Sequence, residues 1–206
     1  MSIKLYGMPL SNYYNMVKAV LIEKGMDFEE VLVNPNQEAD YLTQSPMGKV
    51  PCIETEHGFL TETGVILDYL DALGEGPSFY PADTFAKAKV QELIRYIELY
   101  IELPARRLFG DVFFDRPASA EEKAAVKALL EKGFAALTKL AKFEPYIAGT
   151  EISYADFYFR YAVALATIVC KRALDWDAIN DVPNIKALLE LMDARASVQR
   201  TVADQS

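Results

Sequence analysis

One histidine, His57, and two cysteines, Cys52 and Cys170, are the whole stock of imidazole and thiol in 206 residues. A Ser-His-Asp triad, a metal-histidine cluster, a zinc site and a C-x-x-C redox pair each need residue types that this chain nearly lacks. Chemistry must run on hydroxyls, carboxylates and backbone amides, and no metal is expected. Three places offer such groups: Ser11, the run Lys49-Val50-Pro51-Cys52, and Glu62-Thr63. A hydroxyl at a helix start stabilises an anion. The unpaired amides and positive dipole end at the start of a helix beginning near Thr63 favour a carboxylate in the same way. Each feature also has a plain structural reading, as helix cap or as turn chemistry.

The elements that must position these residues follow from periodicity. Ile3 and Leu5 alternate with Lys4 as a strand, and a helix then begins near Ser11 with Tyr13, Val17, Val20, Leu21 and Lys24 on one face. Gly25 fits its end, and Val31 with Val33 alternate in a second strand, which predicts a βαβ unit with two parallel strands. Lys49 to Glu54 and Phe59 to Glu62 read as two further strands, antiparallel across Thr55-Glu56-His57-Gly58. The helix opened by Thr63-Gly64 carries Val65, Ile66, Tyr69, Leu70 and Leu73 on its apolar face. The order βαβ-ββα makes a mixed four-stranded sheet.

Gly74-Glu75-Gly76-Pro77-Ser78, followed by Pro81, is a breaker cluster and predicts a linker. Beyond it, long amphipathic stretches at 83–113, 120–141, 154–172 and 184–194 predict an all-helical second domain. The expected class is α+β, with domains at 1–76 and 83–206. Ser119 with Glu122 and Ser153 with Asp156 have the spacing in which hydroxyl and acid satisfy the first amides of a helix.

The chain is 51% hydrophobic and 25% charged, too apolar for disorder. Its net charge of −9 repels phosphate backbones and anionic membranes, so neither nucleic acid nor a membrane is an expected partner. The start MSIKLYGMPL lacks the basic-then-apolar pattern of a signal peptide, and the longest mostly apolar run, Tyr161 to Cys170, is far short of a span. A cytoplasmic location is expected.

In their order and spacing, YGMPLSNYYNMV, SPMGKVPCIE and TETGVILDYL, joined by ISYADF and PNIKALLELMDARASVQR, resemble the glutathione transferase family over nearly the whole chain. The resemblance implies a thioredoxin-like first domain that binds glutathione as co-substrate, a helical second domain that shapes a pocket for a small hydrophobic electrophile, and a homodimer. It places the Val50 backbone against the cysteinyl unit, with Pro51 after a cis bond, and the Thr63 hydroxyl and amide on the γ-glutamyl carboxylate. Glu62 would face the ammonium, and Lys49 is the nearest cation for the glycine carboxylate.

Ser11 stands where serine-type members of the family donate to the glutathione sulfur, and is preferred over Tyr6, the rival hydroxyl. A free thiol titrating near ~8.5 is about 3% thiolate at pH 7, and lowering that value by about two units, roughly 2.7 kcal/mol, raises the fraction to about three quarters. One hydrogen bond to the charge plus the helix dipole supplies that much. The same thiolate serves conjugation, peroxide reduction or halide displacement, and a non-catalytic binding protein of this fold is the alternative. Cys52 reads as a small core residue. Trp176 and the cluster Phe109, Phe113 and Phe114 fit either an apolar pocket or a core.

Overall fold

The computed structural model describes residues 3–205. The first elements are β1 (Ile3–Gly7), α1 (Asn12–Lys24), β2 (Phe28–Leu32), α2 (Ala39–Leu42), β3 (Cys52–Thr55), β4 (Gly58–Thr61) and α3 (Thr63–Ala72). The strands form one sheet in the order β2-β1-β3-β4. β1 and β2 are parallel and the other pairs antiparallel, the mixed sheet that the sequence predicts. Leu5 and Ile53 stand opposite each other, wholly buried. The apolar faces of α1 (Val17, Val20, Leu21) and α3 (Ile66, Leu67, Leu70) are buried as well, and the two helices pack together.

Local chemistry sets the ends of these elements. Gly25 adopts φ 65 and gives its amide to Ile22 and Leu21, the left-handed cap that a side chain would strain. β3 starts at Cys52 rather than at Lys49, because Pro51 has no amide to give to the ladder, and the Val50-Pro51 bond is cis. The hairpin turn is held by Thr55, whose Oγ1 accepts from His57 N and donates to Gly58 O, each at 3.1 Å.

The second set of elements is helical: α4 (Thr84–Ile97), α5 (Leu103–Arg106), α6 (Phe109–Phe113), α7 (Ala120–Leu140), α8 (Tyr154–Tyr158), α9 (Ala164–Leu174), α10 (Ala178–Asp181) and α11 (Ile185–Asp193). Two of the predicted stretches are interrupted by π-helical turns, Glu98–Glu102 and Phe159–Val163. The first has a visible cause. Pro104 has no amide for the carbonyl of Tyr100, and the wider turn, with Leu103 N bonded to Glu98 O, absorbs the mismatch. That carbonyl lies against Gly133 of α7, where a Cβ would come within 2.2 Å of it.

By contacts the chain divides into two compact units. One runs to Phe79 and takes in the segment from Ala194 onward, and the other is Tyr80–Asp193. The first division comes after Phe79. The tail differs from expectation: its helix α12 (Ala196–Ala203) packs on α1 rather than with the helical unit. Arg195 grips Glu23 of α1 through two bonds of 2.7 Å, and Ser197 Oγ donates to the same carboxylate. Burial pushes that carboxyl up, but guanidinium and hydroxyl outweigh it and hold Glu23 below the usual range. No helix among the described residues is long and apolar enough to cross a membrane.

Candidate active site

The sheet register brings the three predicted segments to one place. Tyr6 stands opposite Val31 and Cys52, and Cys52 stands opposite Thr61. Along this row β1, β2 and β4 finish and β3 begins. The loop to Ser11 leaves from β1, Lys49-Val50-Pro51 leads into β3, and Glu62-Thr63 follows β4 directly.

Ser11 is the N-cap of α1, with φ −83 and ψ 118, and its Oγ accepts from Tyr14 N at 3.3 Å. Capping uses a lone pair and leaves the hydroxyl proton to be donated elsewhere. Cap and thiolate donor are therefore compatible roles for this one oxygen. Tyr6 is differently placed. Its hydroxyl donates to Glu54 Oε2 at 2.5 Å, and burial followed by that bond pushes its pKa up to about 12. Its proton is already committed to a carboxylate.

The segment leading to Pro51 is held from behind. Tyr41 OH and Ser45 Oγ both donate to the Lys49 carbonyl, at 2.9 and 2.8 Å, and Lys49 N donates back to Ser45 Oγ at 3.2 Å. Gly48, at φ 63, lies so close to the Asn36 carbonyl that a Cβ would come within 2.0 Å of it. These bonds fix the Lys49 backbone while its side chain is exposed, and Val50 next to it is half-buried.

Glu62 and Thr63 start α3 without a side-chain cap. Ile66 N takes the Glu62 carbonyl at 3.0 Å, so the amides of residues 63–65 have no acceptor inside the helix. Glu62 sits at φ 66 and ψ 115, a conformation that costs a residue with a Cβ of order 1–3 kcal/mol. Thr63 is buried behind it. A strained exposed acid beside open amides and a hydroxyl suits a ligand carrying both a carboxylate and an ammonium.

Sequence reasoning missed the space beside Ser11. A cleft of about 400 Å³ lies between the loop Met8–Leu10, residues 32–34 at the end of β2, and Asp204 with Gln205. Leu10 and Leu32 are 75% and 70% exposed, so these apolar side chains reach water. Asn15 holds the loop, its Nδ2 donating to the Pro9 carbonyl at 2.6 Å. Asn15 is a polar residue within an apolar helix, and that was the signal available.

The remaining candidates have plain places. Cys52 and Cys170 are buried, which pushes their thiols up to about 11 and about 12. Trp176 packs edge-on against Phe134, with ring centres 5.6 Å apart, while Phe113 and Phe114 are exposed rather than core. No group of residues suited to a metal ion occurs among the described residues.

Family models for the N-terminal and C-terminal domains of glutathione S-transferase match residues 5–78 and 105–203. A glutathione S-transferase of Pseudomonas putida is 47% identical over 203 residues, 98% of this chain and 92% of that one. Glutathione S-transferase 3 of Zea mays is 29% identical over 214 residues, covering 98% and 93%. Among solved structures, glutathione S-transferase III in its apo form superposes with a TM-score of 0.76 at 27% identity, over 98% of this chain and 96% of that one.

Proposed function

Because the chain belongs to the glutathione S-transferase family and is a transferase, we propose that it holds glutathione as a thiolate at this sheet end and adds it to small hydrophobic electrophiles. The observation that carries this reading is the open start of α3, where unshared amides, the Thr63 hydroxyl and the Glu62 carboxylate stand together. The γ-glutamyl carboxylate takes the amides and the hydroxyl, and its ammonium takes Glu62. The cysteinyl backbone pairs with Val50 ahead of Pro51, which leaves the sulfur beside Ser11. Lys49 is the cation for the glycine carboxylate.

Ser11 donates its free proton to the sulfur while its oxygen stays fixed by the cap, and the α1 dipole adds to the stabilisation of the anion. The thiolate attacks the electrophile, a carbon–sulfur bond forms, and the displaced pair leaves with the leaving group or is protonated by water. The protein forms no covalent bond. Orientation and thiolate stabilisation supply the rate. The cleft bounded by Leu10 and Leu32 seats the electrophile. The reading includes a homodimer in the cytoplasm.

Calorimetric titration with glutathione tests the clamp. Thr63→Ala removes one hydrogen bond to a charge and is expected to weaken binding roughly ten- to hundredfold. Thr63→Ala and Glu62→Ala variants that both bind glutathione as tightly as the parent would overturn the reading.

A further inference from the structure

The cleft beside Ser11 has three walls, and they are held in different ways. The Met8–Leu10 wall is fixed through backbone groups, with Ser11 N on the Met8 carbonyl at 2.9 Å and Asn15 on the Pro9 carbonyl. The wall at residues 32–34 is the continuation of β2, where Leu32 pairs with Gly7 and Val33 N reaches the Gly7 carbonyl at 2.9 Å. The third wall, Asp204 and Gln205, lies beyond α12, with Asp204 N on Arg200 O at 3.2 Å and Gln205 N on Val202 O at 3.1 Å.

A buried charge ties this third wall to α1 and β2. Lys18 of α1, its side chain 3% exposed, places Nζ 2.7 Å from Asp204 Oδ2 and 2.6 Å from Glu30 Oε2. Arg200 Nε reaches the same Asp204 oxygen at 3.0 Å. Tyr14 OH donates to the same Glu30 oxygen that Lys18 contacts. A lysine is seldom this buried without partners, and here its ammonium joins the middle of α1, the β2 strand and the tail.

We propose that Lys18 is a positioning residue for electrophile binding: through Asp204 it holds the tail as the third wall of the cleft and so sets how firmly an apolar group is gripped there. The inference rests on the glutathione reading for the ligand's anchor, but it concerns only what the anchor carries. Neither Lys18 nor Asp204 belongs to the Val50, Glu62 and Thr63 clamp. Releasing the tail opens one side of the cleft to water and leaves an apolar substituent with fewer partners, while the tripeptide keeps all of its own.

Binding of glutathione and of S-hexylglutathione, compared by calorimetry, reads cleft and clamp separately and needs no turnover. In the parent the hexyl group should add affinity, because each buried methylene contributes roughly fourfold. In Asp204→Ala, loss of about two methylenes' worth of contact should weaken S-hexylglutathione roughly fifteenfold with glutathione unchanged. Asp204→Glu, which keeps the carboxylate, should restore most of the difference. Lys18→Met should behave as Asp204→Ala. If it does not fold, the two Asp204 variants decide alone. Equal affinity for S-hexylglutathione in the parent and in a folded Asp204→Ala variant overturns the inference. A parent that binds neither ligand overturns the glutathione reading as well.

Discussion

At the start of α8, the wholly buried carboxylate of Asp156 takes hydrogen bonds from Ser153 N at 2.8 Å, Ser153 Oγ at 2.9 Å and Ile147 N at 2.8 Å. At the start of α3, no side chain caps the helix, and the residue before it sits at φ 66. One helix start is closed by the protein's own acid and the other is left open with strain beside it. A fold that closes one helix start so fully has the means to close another. On the glutathione reading the open one receives the γ-glutamyl carboxylate, and α1, capped by Ser11 with its proton still free, is intermediate in kind.

The closed start should give the largest effect. Asp156→Ala leaves Ile147 N and Ser153 N buried without acceptors, so the expected loss at pH 5 is about 3 kcal/mol, above the 0.5–2 kcal/mol of an ordinary cap. Urea unfolding followed by circular dichroism measures it, and glutathione affinity should not change. The same carboxyl carries a pH signature. Burial pushes it up to about 6 although four hydrogen bonds, one of them from its own backbone, pull it down. Its folded-state value lies above the unfolded value of about 3.9, so its contribution is complete below pH 4 and is lost as pH rises through about 6. Asp156→Asn should remove that slope from the stability profile. A parent whose stability is flat between pH 4 and 6.5 would show that the closed start keeps its charge.

Next in size is Ser11. If its proton holds the thiolate, Ser11→Ala should raise the pKa of bound glutathione by about two units, so that thiolate at pH 7 drops from about three quarters to about 3%. Ultraviolet absorbance of the thiolate, followed against pH at saturating glutathione, reads this directly. Tyr6→Phe should leave the curve in place, because Tyr6 gives its proton to Glu54. The 3.3 Å cap bond is long, so the variant's stability should fall by only about 0.5 kcal/mol. The reverse pattern, a shift on Tyr6→Phe alone, would transfer the role.

How much of this was legible before the fold was known depends on the kind of interaction. Period-two strands, the αL glycine at Gly25 and the spacing of Ser153 with Asp156 are local, and each can be read from a few neighbouring residues. The partner of Asp156 nine residues upstream is not local, and no spacing rule points to Ile147. α12 shows the same limit. An amphipathic helix reveals that it has a face to bury but not which unit covers it, and the Arg195–Glu23 and Lys18–Asp204 pairs that join it to the first unit each span most of the chain. The residues proposed for the clamp stand in short motifs, so the proposal could be made from sequence. The cleft was not, since Leu10 and Leu32 are ordinary apolar residues until β1 and β2 bring them to one edge.

The smallest effect sharpens the comparison most. At φ 66 the Cβ of Glu62 is unfavourable, so Glu62→Gly should relieve strain and, after the extra entropy of glycine, stabilise the protein without ligand by roughly 0.5–1 kcal/mol. Glu62→Ala keeps the Cβ and should not. Both variants lose the carboxylate that faces the ammonium, so both should bind glutathione more weakly by a similar factor. Thermal melts with and without glutathione separate the terms, because the ligand's gain in stability follows its affinity. In that experiment Glu62→Gly should melt above the parent without glutathione and below it at saturation, a crossing that no purely structural role of Glu62 predicts. If Glu62→Gly melts below the parent in both conditions, the open start of α3 holds no strain that a ligand offsets, and its difference from α8 reduces to the absence of a cap.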